Sequence, residues 1–153
     1  MSNDYSQLLT TFPLFAGYTS TGTEWFVTHG RIRQCAAREV LLTEGDAATT
    51  VVLVLTGAVE QFVARANGEI PIGSTGPGQV LGDVQFVGGL AHPASARATA
   101  GTAVLEWTGP AFQRLTSGDA QFAERVMTQT AHALAVQAES LIASLAALKE
   151  AIR

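Results

Sequence analysis

The sequence predicts an α+β fold in which a β-rich middle section, an antiparallel barrel or sandwich, lies between short helices and one long helix. Between residues 38 and 107, short β-rich runs alternate with glycine turns, as is typical of antiparallel barrels and sandwiches. Apolar clusters before this section have helical spacing. No glycine or proline follows Gly118. We therefore expect one domain, residues 1–153, with a single long helix at its end.

The N-terminal region, residues 6 to about 34, is expected to form short helices. Its apolar side chains, such as Phe12 and Trp25, occur in clusters with helical spacing, and Pro13 and Gly17 interrupt them. The predicted barrel follows over about residues 36–108. Its turns are marked by Gly45, Gly57, residues 67–69, residues 73–78 and Gly101.

The last segment, residues 119–152, is predicted to be one helix with a coiled-coil seam. The tripeptide "SGD" ending at Asp119 is a helix-start signal, and the helix would be roughly 50 Å long. Ala135 and Ile142 widen the apolar stripe, so one flank is expected to touch the barrel. Apolar residues at alternating spacings of four and three predict a homodimer; they are Met127, Ala131, Leu134, Ala138, Leu141, Leu145, Leu148 and Ile152.

Composition excludes several classes of protein. A hydrophobic fraction of 47% excludes a disordered chain, and a net charge of −4 without a basic stripe argues against nucleic-acid binding. We expect no membrane-spanning apolar run and no signal peptide, hence a cytoplasmic protein. Cys35 is the sole cysteine, which excludes an internal disulfide and a cysteine-rich zinc site. We expect it to be buried.

The residues do not predict an enzyme. His29, His92 and His132 fall in three different elements, which argues against a clustered metal centre, and serine, histidine and aspartate form no hydrolase motif. We assign no catalytic or metal-binding residue, and expect His29 and His132 to be packing or surface side chains.

Four segments occur in an order and spacing typical of one family. They are "LLTTFPLFAGYT", "REVLLTEGDAATTVVLVLTGAVE", "GPGQVLGDVQFVGG", and "AFQRL" followed by the long helix, together spanning roughly residues 8–148. They resemble the cyclic nucleotide-binding domain of the catabolite activator protein family and of kinase regulatory subunits. The resemblance implies an antiparallel β-barrel, or jelly roll, of about eight strands, with the long helix serving dimerisation.

The resemblance also assigns residues 82–94, here called the cassette, to phosphate binding. In that family a Gly-Glu pair opens a short helix whose N–H groups, with a later arginine, bind the cyclic phosphate, while the glutamate accepts the ribose 2′-hydroxyl proton. Without gaps, Gly82 matches the glycine, Asp83 the glutamate and His92 the arginine. Gln85 matches a small residue whose N–H contacts the phosphate, and Gln137 an adenine-contacting position. The assigned ligand residues are Gly82, Asp83, Val84, Gln85, His92, Pro93, Ala94 and Gln137.

Three exchanges are expected to weaken this cassette. Asp83 is shorter than glutamate by about 1.5 Å, one covalent bond. His92 has an ordinary pKa near 6.5 and is mostly neutral at pH 7, and Pro93 lacks an N–H. Arg97, five residues after His92, aligns with an outward strand position, so we expect a solvated surface charge there.

These expectations give three hypotheses of function. The first is a regulatory or sensor protein whose ordinary cyclic AMP or cyclic GMP binding is weak or absent. The second is a ligand-free dimeric scaffold for protein–protein assembly, and the third is a true cyclic nucleotide sensor that uses His92 in place of arginine. A cyclic nucleotide or another small anion is the expected ligand class, with no cofactor assigned. The expected partners are a second copy or another protein, without direct DNA or membrane contact, since no helix-turn-helix segment follows the long helix.

Overall fold

The computed structural model describes residues 2–152, with side chains from Tyr5 onward. The described chain folds in the order of short helices, strands and long helix that the sequence predicts. Its helices are α1 (Ser2–Leu9), α2 (Ser20–Thr28), α3 (Asp83–Gly88), α4 (Gly109–Gly118) and α5 (Ala120–Ala151), with a 3₁₀ turn at Pro13–Phe15. Its strands are β1 (Arg31–Gln34), β2 (Val40–Leu42), β3 (Thr50–Thr56), β4 (Val59–Arg65), β5 (Gly68–Thr75), β6 (Val80–Leu81), β7 (Ser95–Ala98) and β8 (Ala103–Thr108).

The strands form two four-stranded antiparallel sheets, which confirms the predicted jelly roll of eight strands. The first sheet has the order β1-β8-β3-β6 and the second the order β2-β7-β4-β5. Strand β1 begins at Arg31, five residues before the barrel boundary expected at residue 36. The sequence predicts that residues 31–34 belong to the helical region. They pair instead with β8, where Arg31 and Arg33 form ion pairs with Glu106 at 3.1 and 2.8 Å.

The first sheet lies between two apolar layers. Side chains alternate between the faces of a strand, and every residue of β3 from Val51 to Leu55 is buried. Val51 and Leu53 pack against the helices, whereas Val52 packs against the second sheet. This two-sided burial explains the uninterrupted apolar run "VVLVL". On the helical side, the buried Trp107 Nε1–H donates to the Phe26 carbonyl oxygen at 2.8 Å.

The long helix α5 begins where the sequence predicts. Asp119 caps it by accepting a hydrogen bond from the Phe122 N–H at 3.0 Å, and the Tyr18 hydroxyl donates to the same carboxylate at 2.7 Å. Phe122 and Val126 are buried against the N-terminal helices and the first sheet. The first turns of α5 are therefore part of the domain core.

Beyond Thr130 the helix leaves the domain, and residues 131–152 are all exposed. All eight residues of the predicted seam are exposed. Ala135 and Ile142 are exposed as well, so the expected contact between this flank and the barrel is wrong within this chain. Helix α4, which precedes Asp119, was not predicted.

The same helix corrects the expectation that no segment has the length and hydropathy of a membrane span. The helix Ala120–Ala151 contains an 18-residue window of mean hydropathy 1.4, and its length and composition alone would allow it to cross a bilayer. Its leucine, isoleucine, valine and alanine side chains and the scarcity of charged residues produce this value. The window also contains polar side chains, among them Gln137 and Glu139.

Candidate ligand site

Gly82 allows β6 to pass directly into the cassette. Its φ of 84° lies in the left-handed region, and a Cβ atom there would stand 2.9 Å from the carbonyl oxygen of Thr50 in β3. Only glycine adopts this conformation at low cost and leaves room for the neighbouring backbone. Helix α3 starts at the next residue, Asp83, and ends at Gly88, where the C-cap residue Gly89 is also left-handed.

Asp83 is buried, with 7% of its surface exposed. The Thr130 hydroxyl in α5 donates to its Oδ2 at 2.5 Å. Burial raises the pKa of the Asp83 carboxyl, while the Thr130 hydroxyl and the backbone N–H groups of Asp83 and Val84 stabilise the ionised form and oppose that rise; burial prevails. The carboxylate is thus already held by donors of its own chain.

His92 is held in the cassette by its backbone. Its N–H donates to the Asp46 carbonyl oxygen, and its carbonyl accepts from the Gly45 N–H, both at 2.9 Å. Its side chain lies beside Gly82, since the ring Cε1 is 3.8 Å from the position of a Cβ on that glycine. The turn at Gly45 and Asp46 therefore positions His92.

The imidazole of His92 carries no stable positive charge. Only 6% of the residue is exposed, and burial lowers the pKa of His92, with the negative charge of Asp46 partly opposing the shift. The imidazole of His92 forms no hydrogen bond with the described residues, yet no fully buried side-chain nitrogen or oxygen among them lacks a partner. The ring nitrogens are therefore not completely enclosed by the protein.

The other residues assigned to the ligand site differ in how far they are buried. Val84, Gln85 and Ala94 are half-buried and Pro93 is exposed. Gln137 lies seven residues after Thr130, about 10 Å further along the helix, and is exposed. Within this chain it does not join the cluster around Asp83 and His92, and its contact with a ligand stays a prediction.

Sequence reasoning missed two helix residues that contact the cassette or the strand leading into it. Besides Thr130, the Gln129 side-chain amide binds the approach to β6: its Nε2–H donates to the Gly78 carbonyl oxygen and its Oε1 accepts from the Val80 N–H, both at 3.0 Å. The available signal was spacing, because Phe122 and Val126 lie on the same helical face as these two polar residues.

A polar pair on the second sheet was also missed. The Gln61 Nε2–H donates to the Thr75 hydroxyl at 2.8 Å. By strand alternation Gln61 lies on the face of Val59, which packs towards the first sheet. A Cβ on Gly73 would stand 3.3 Å from the Gln61 Oε1 atom. The β4–β5 wall therefore presents polar groups towards the barrel interior.

Arg97 does not supply the missing charge. It lies on an outward position, as expected, but is ion-paired instead of solvated: its guanidinium contacts Glu69 at 2.6 Å and Glu60 at 3.4 Å and stacks over the Phe62 ring at 4.3 Å. A surface cavity of about 450 Å³ adjoins this group and includes no cassette residue; it is lined by Glu60, Gln61, Phe62, Pro71, Gly73, Ser74 and Arg97.

The remaining candidate groups lie apart from the cassette. The His29 Nδ1–H donates to the Trp25 carbonyl oxygen at 2.7 Å, and His132 is exposed on α5. Cys35 is half-buried instead of fully buried, and burial raises the pKa of its thiol. Over residues 2–152, no three His, Cys, Asp or Glu side chains are grouped to hold a metal ion.

Known proteins share this architecture. A sequence model described as "Cyclic nucleotide-binding domain" matches residues 32–119. The catabolite activator protein of Thermus thermophilus superposes with a TM-score of 0.73 at 22% identity, covering 88% of this chain and 63% of that one. A cyclic nucleotide-binding-like protein from Brucella abortus gives a TM-score of 0.60 at 24% identity, covering 74% and 98%.

A third structure belongs to an enzyme. A cAMP-binding acyltransferase from Mycobacterium smegmatis superposes with a TM-score of 0.66 at 22% identity, over 82% of this chain but only 39% of that protein. No curated protein matches the chain. At these identities the structural likenesses establish the fold alone.

Proposed function

Because the chain belongs to the cyclic nucleotide-binding domain family, we propose that it is a non-enzymatic regulatory module whose altered cassette binds ordinary cyclic AMP or cyclic GMP weakly or not at all. The observation that carries this proposal is His92, buried and without a permanent charge, at the position where the resemblance expects arginine. We place the protein in the cytoplasm.

Electrostatics supports weak binding of an anion. A cyclic phosphate retains one negative charge, and a guanidinium would bind it through two parallel hydrogen bonds. Here the charged neighbour of His92 is the acidic Asp46, and among the described residues no basic side chain shifts the pKa of the Asp83 carboxyl. A neutral imidazole offers one contact at most, and Pro93 offers no N–H.

Calorimetric titration with cyclic AMP and cyclic GMP at pH 6 and pH 8 tests this proposal. We expect weak or no binding by the natural chain at both pH values, with any gain at pH 6 limited because burial lowers the pKa of His92 and so reduces its protonated fraction. His92→Arg should raise affinity about tenfold to a hundredfold, the worth of a charge-assisted bidentate contact. His132→Arg adds the same charge at an exposed site of α5 and should change nothing.

Two results would contradict the proposal. One is a natural chain that binds at pH 8 as tightly as His92→Arg, which would favour the third hypothesis, a sensor that uses His92 itself. The other is equal binding by His92→Arg and His132→Arg. Thermal melts of both variants, compared with the natural chain, exclude misfolding as the cause.

The exposed helix supports a homodimer, and with it a second candidate function, a dimeric scaffold that needs no ligand. The seam residue Met127 is 71% exposed and Ile152 is 76% exposed, and the row between them is apolar. A second copy of the helix would cover this row through coiled-coil packing. The scaffold and the sensor differ in ligand binding, which the titration measures.

Sedimentation of full-length variants tests the dimer. Leu141→Glu places a charge in the seam, whereas Ala143→Glu places it two residues away on another face of the same helix. We expect a dimer for the natural chain and for Ala143→Glu, and a monomer for Leu141→Glu. A dimer that persists in Leu141→Glu contradicts the seam, and a natural chain that sediments only with lipid vesicles would instead indicate membrane association.

A further inference from the structure

A side-chain hydrogen bond joins the cassette to the long helix, because the Thr130 hydroxyl donates to Asp83 Oδ2. It lies at a boundary, because Thr130 is the last residue of α5 that is not exposed. One residue earlier, the Gln129 amide holds the backbone of Gly78 and Val80, just before the cassette. Adjacent residues of α5 therefore fasten both the cassette and the strand that leads into it.

The Thr130 hydroxyl occupies an acceptor that a ligand would need. If the cassette takes a nucleotide as its family does, a sugar hydroxyl must donate to the Asp83 carboxylate. One oxygen already accepts from Thr130, the backbone N–H groups of Asp83 and Val84 also stabilise the carboxylate, and the residue is buried. A ligand hydroxyl that takes the site on Oδ2 must displace the Thr130 proton, so there it exchanges one hydrogen bond for another and gains little.

We propose that Thr130 is an internal competitor for the sugar-hydroxyl position of Asp83 and a latch that ties the cassette helix α3 to the last packed turn of α5. The inference rests on the proposed function for the identity of the site. The hydrogen bond between Thr130 and Asp83 exists without a ligand, so the latch and the competition can be measured separately.

Thr130→Val tests the latch in the full-length chain. Valine has the shape of threonine without the hydroxyl and a similar helix propensity. Thr128→Val makes the same change at an exposed position of the same helix and serves as the matched control. Thr130→Ser restores the hydroxyl and serves as the rescue.

The first measurement is amide hydrogen exchange of residues 83–88 without ligand. We expect exchange at least about fivefold faster in Thr130→Val, because loss of one hydrogen bond to a charged group is worth that much or more. Exchange in Thr128→Val and Thr130→Ser should match the natural chain. Equal exchange in Thr130→Val and Thr128→Val would overturn the latch.

The second measurement is calorimetric titration of cyclic AMP into the His92→Arg protein with and without Thr130→Val. Removing the competitor should tighten binding by about fivefold to tenfold, and Thr128→Val in the same background should not. Unchanged or weaker binding in the Thr130→Val combination would overturn the competition. If His92→Arg binds no nucleotide at all, the proposed function fails, while the exchange measurement still decides the latch.

Discussion

Replacing Gly82 with alanine tests whether the entrance to the cassette depends on close approach between two backbones. The variant meets two costs. A side chain at a φ of 84° costs about 1–2 kcal/mol in the left-handed region. The new Cβ would also stand 2.9 Å from the Thr50 carbonyl oxygen, in a strand that is buried on both faces and cannot easily retreat; forcing such a shift costs about 1–3 kcal/mol.

Together these costs predict a loss of about 2–5 kcal/mol in the free energy of unfolding, equivalent to a fall of roughly 5–20 °C in Tm for a chain of this size. Gly101→Ala is the matched control, because Gly101 has a φ of 77° and no heavy atom within 4 Å of an added Cβ. It should lose only the conformational part, about 1–2 kcal/mol.

Urea unfolding monitored by tryptophan fluorescence measures both variants, since Trp107 is fully buried in the folded state. Protein concentration must be equal in all samples, because the proposed dimer would add to stability by mass action. Equal losses in Gly82→Ala and Gly101→Ala would refute the reasoning, since they would mean that the approach to Thr50 costs nothing. A loss in Gly82→Ala larger by about 1–3 kcal/mol is the expected result.

Three further predictions concern His92, Asp119 and Tyr18. Because burial lowers the pKa of His92 in the folded chain, the stability that neutral His92 contributes is greatest above the ordinary pKa of about 6.5. It falls as the pH drops through the lowered folded value. In denaturant titrations at pH 5 to 8, His92→Gln should lose this acid sensitivity, whereas the exposed His132→Gln should keep it. Asp119→Ala removes the cap of α5 and the acceptor of the Tyr18 hydroxyl, so it should cost about 2–3 kcal/mol, with Asp119→Asn losing less. Burial and the Asp119 carboxylate both raise the pKa of Tyr18, so absorbance titration should find that pKa lowered, though not to its ordinary value, in Asp119→Ala.

Sequence patterns predicted those parts of the fold in which local chemistry and tertiary burial agree. The continuous run around Val52 is apolar because both faces of β3 are covered, and Asp119 caps α5 because an aspartate after glycine suits that position. Strand β1 escaped prediction because its four residues are held by pairing with β8 and by ion pairs to Glu106, partners far away in sequence. Helix α4 had a local signal that was overlooked, Thr108 followed by Pro110, the cap and an early helical residue.

In the cassette, too, some features could be predicted from the sequence and others could not. Glycine at position 82 follows from backbone geometry, and the resemblance placed Asp83 and His92 in one site, where both are buried. The partner of Asp83 could not be read from local chemistry, because Thr128 and Thr130 are the same residue type two positions apart. Helix phase separates them: Val126 is buried, Thr130 lies four residues after it on the same face, and Thr128 points away into solvent.

The hydrogen bonds that hold the backbone of the cassette determine how well an arginine at position 92 could bind a ligand. His92 is fixed by two backbone hydrogen bonds to the turn at Gly45 and Asp46, and the Ser95 hydroxyl, just after the cassette, accepts from the Glu44 N–H at 2.9 Å. None of these contacts requires a bound phosphate, so the backbone path keeps its shape when the ligand chemistry changes. A guanidinium at position 92 would stand near the acidic Asp46, which would compensate part of its burial. Failure of His92→Arg to bind would therefore count against the role proposed for His92, because the backbone path of the cassette does not depend on the residue at that position.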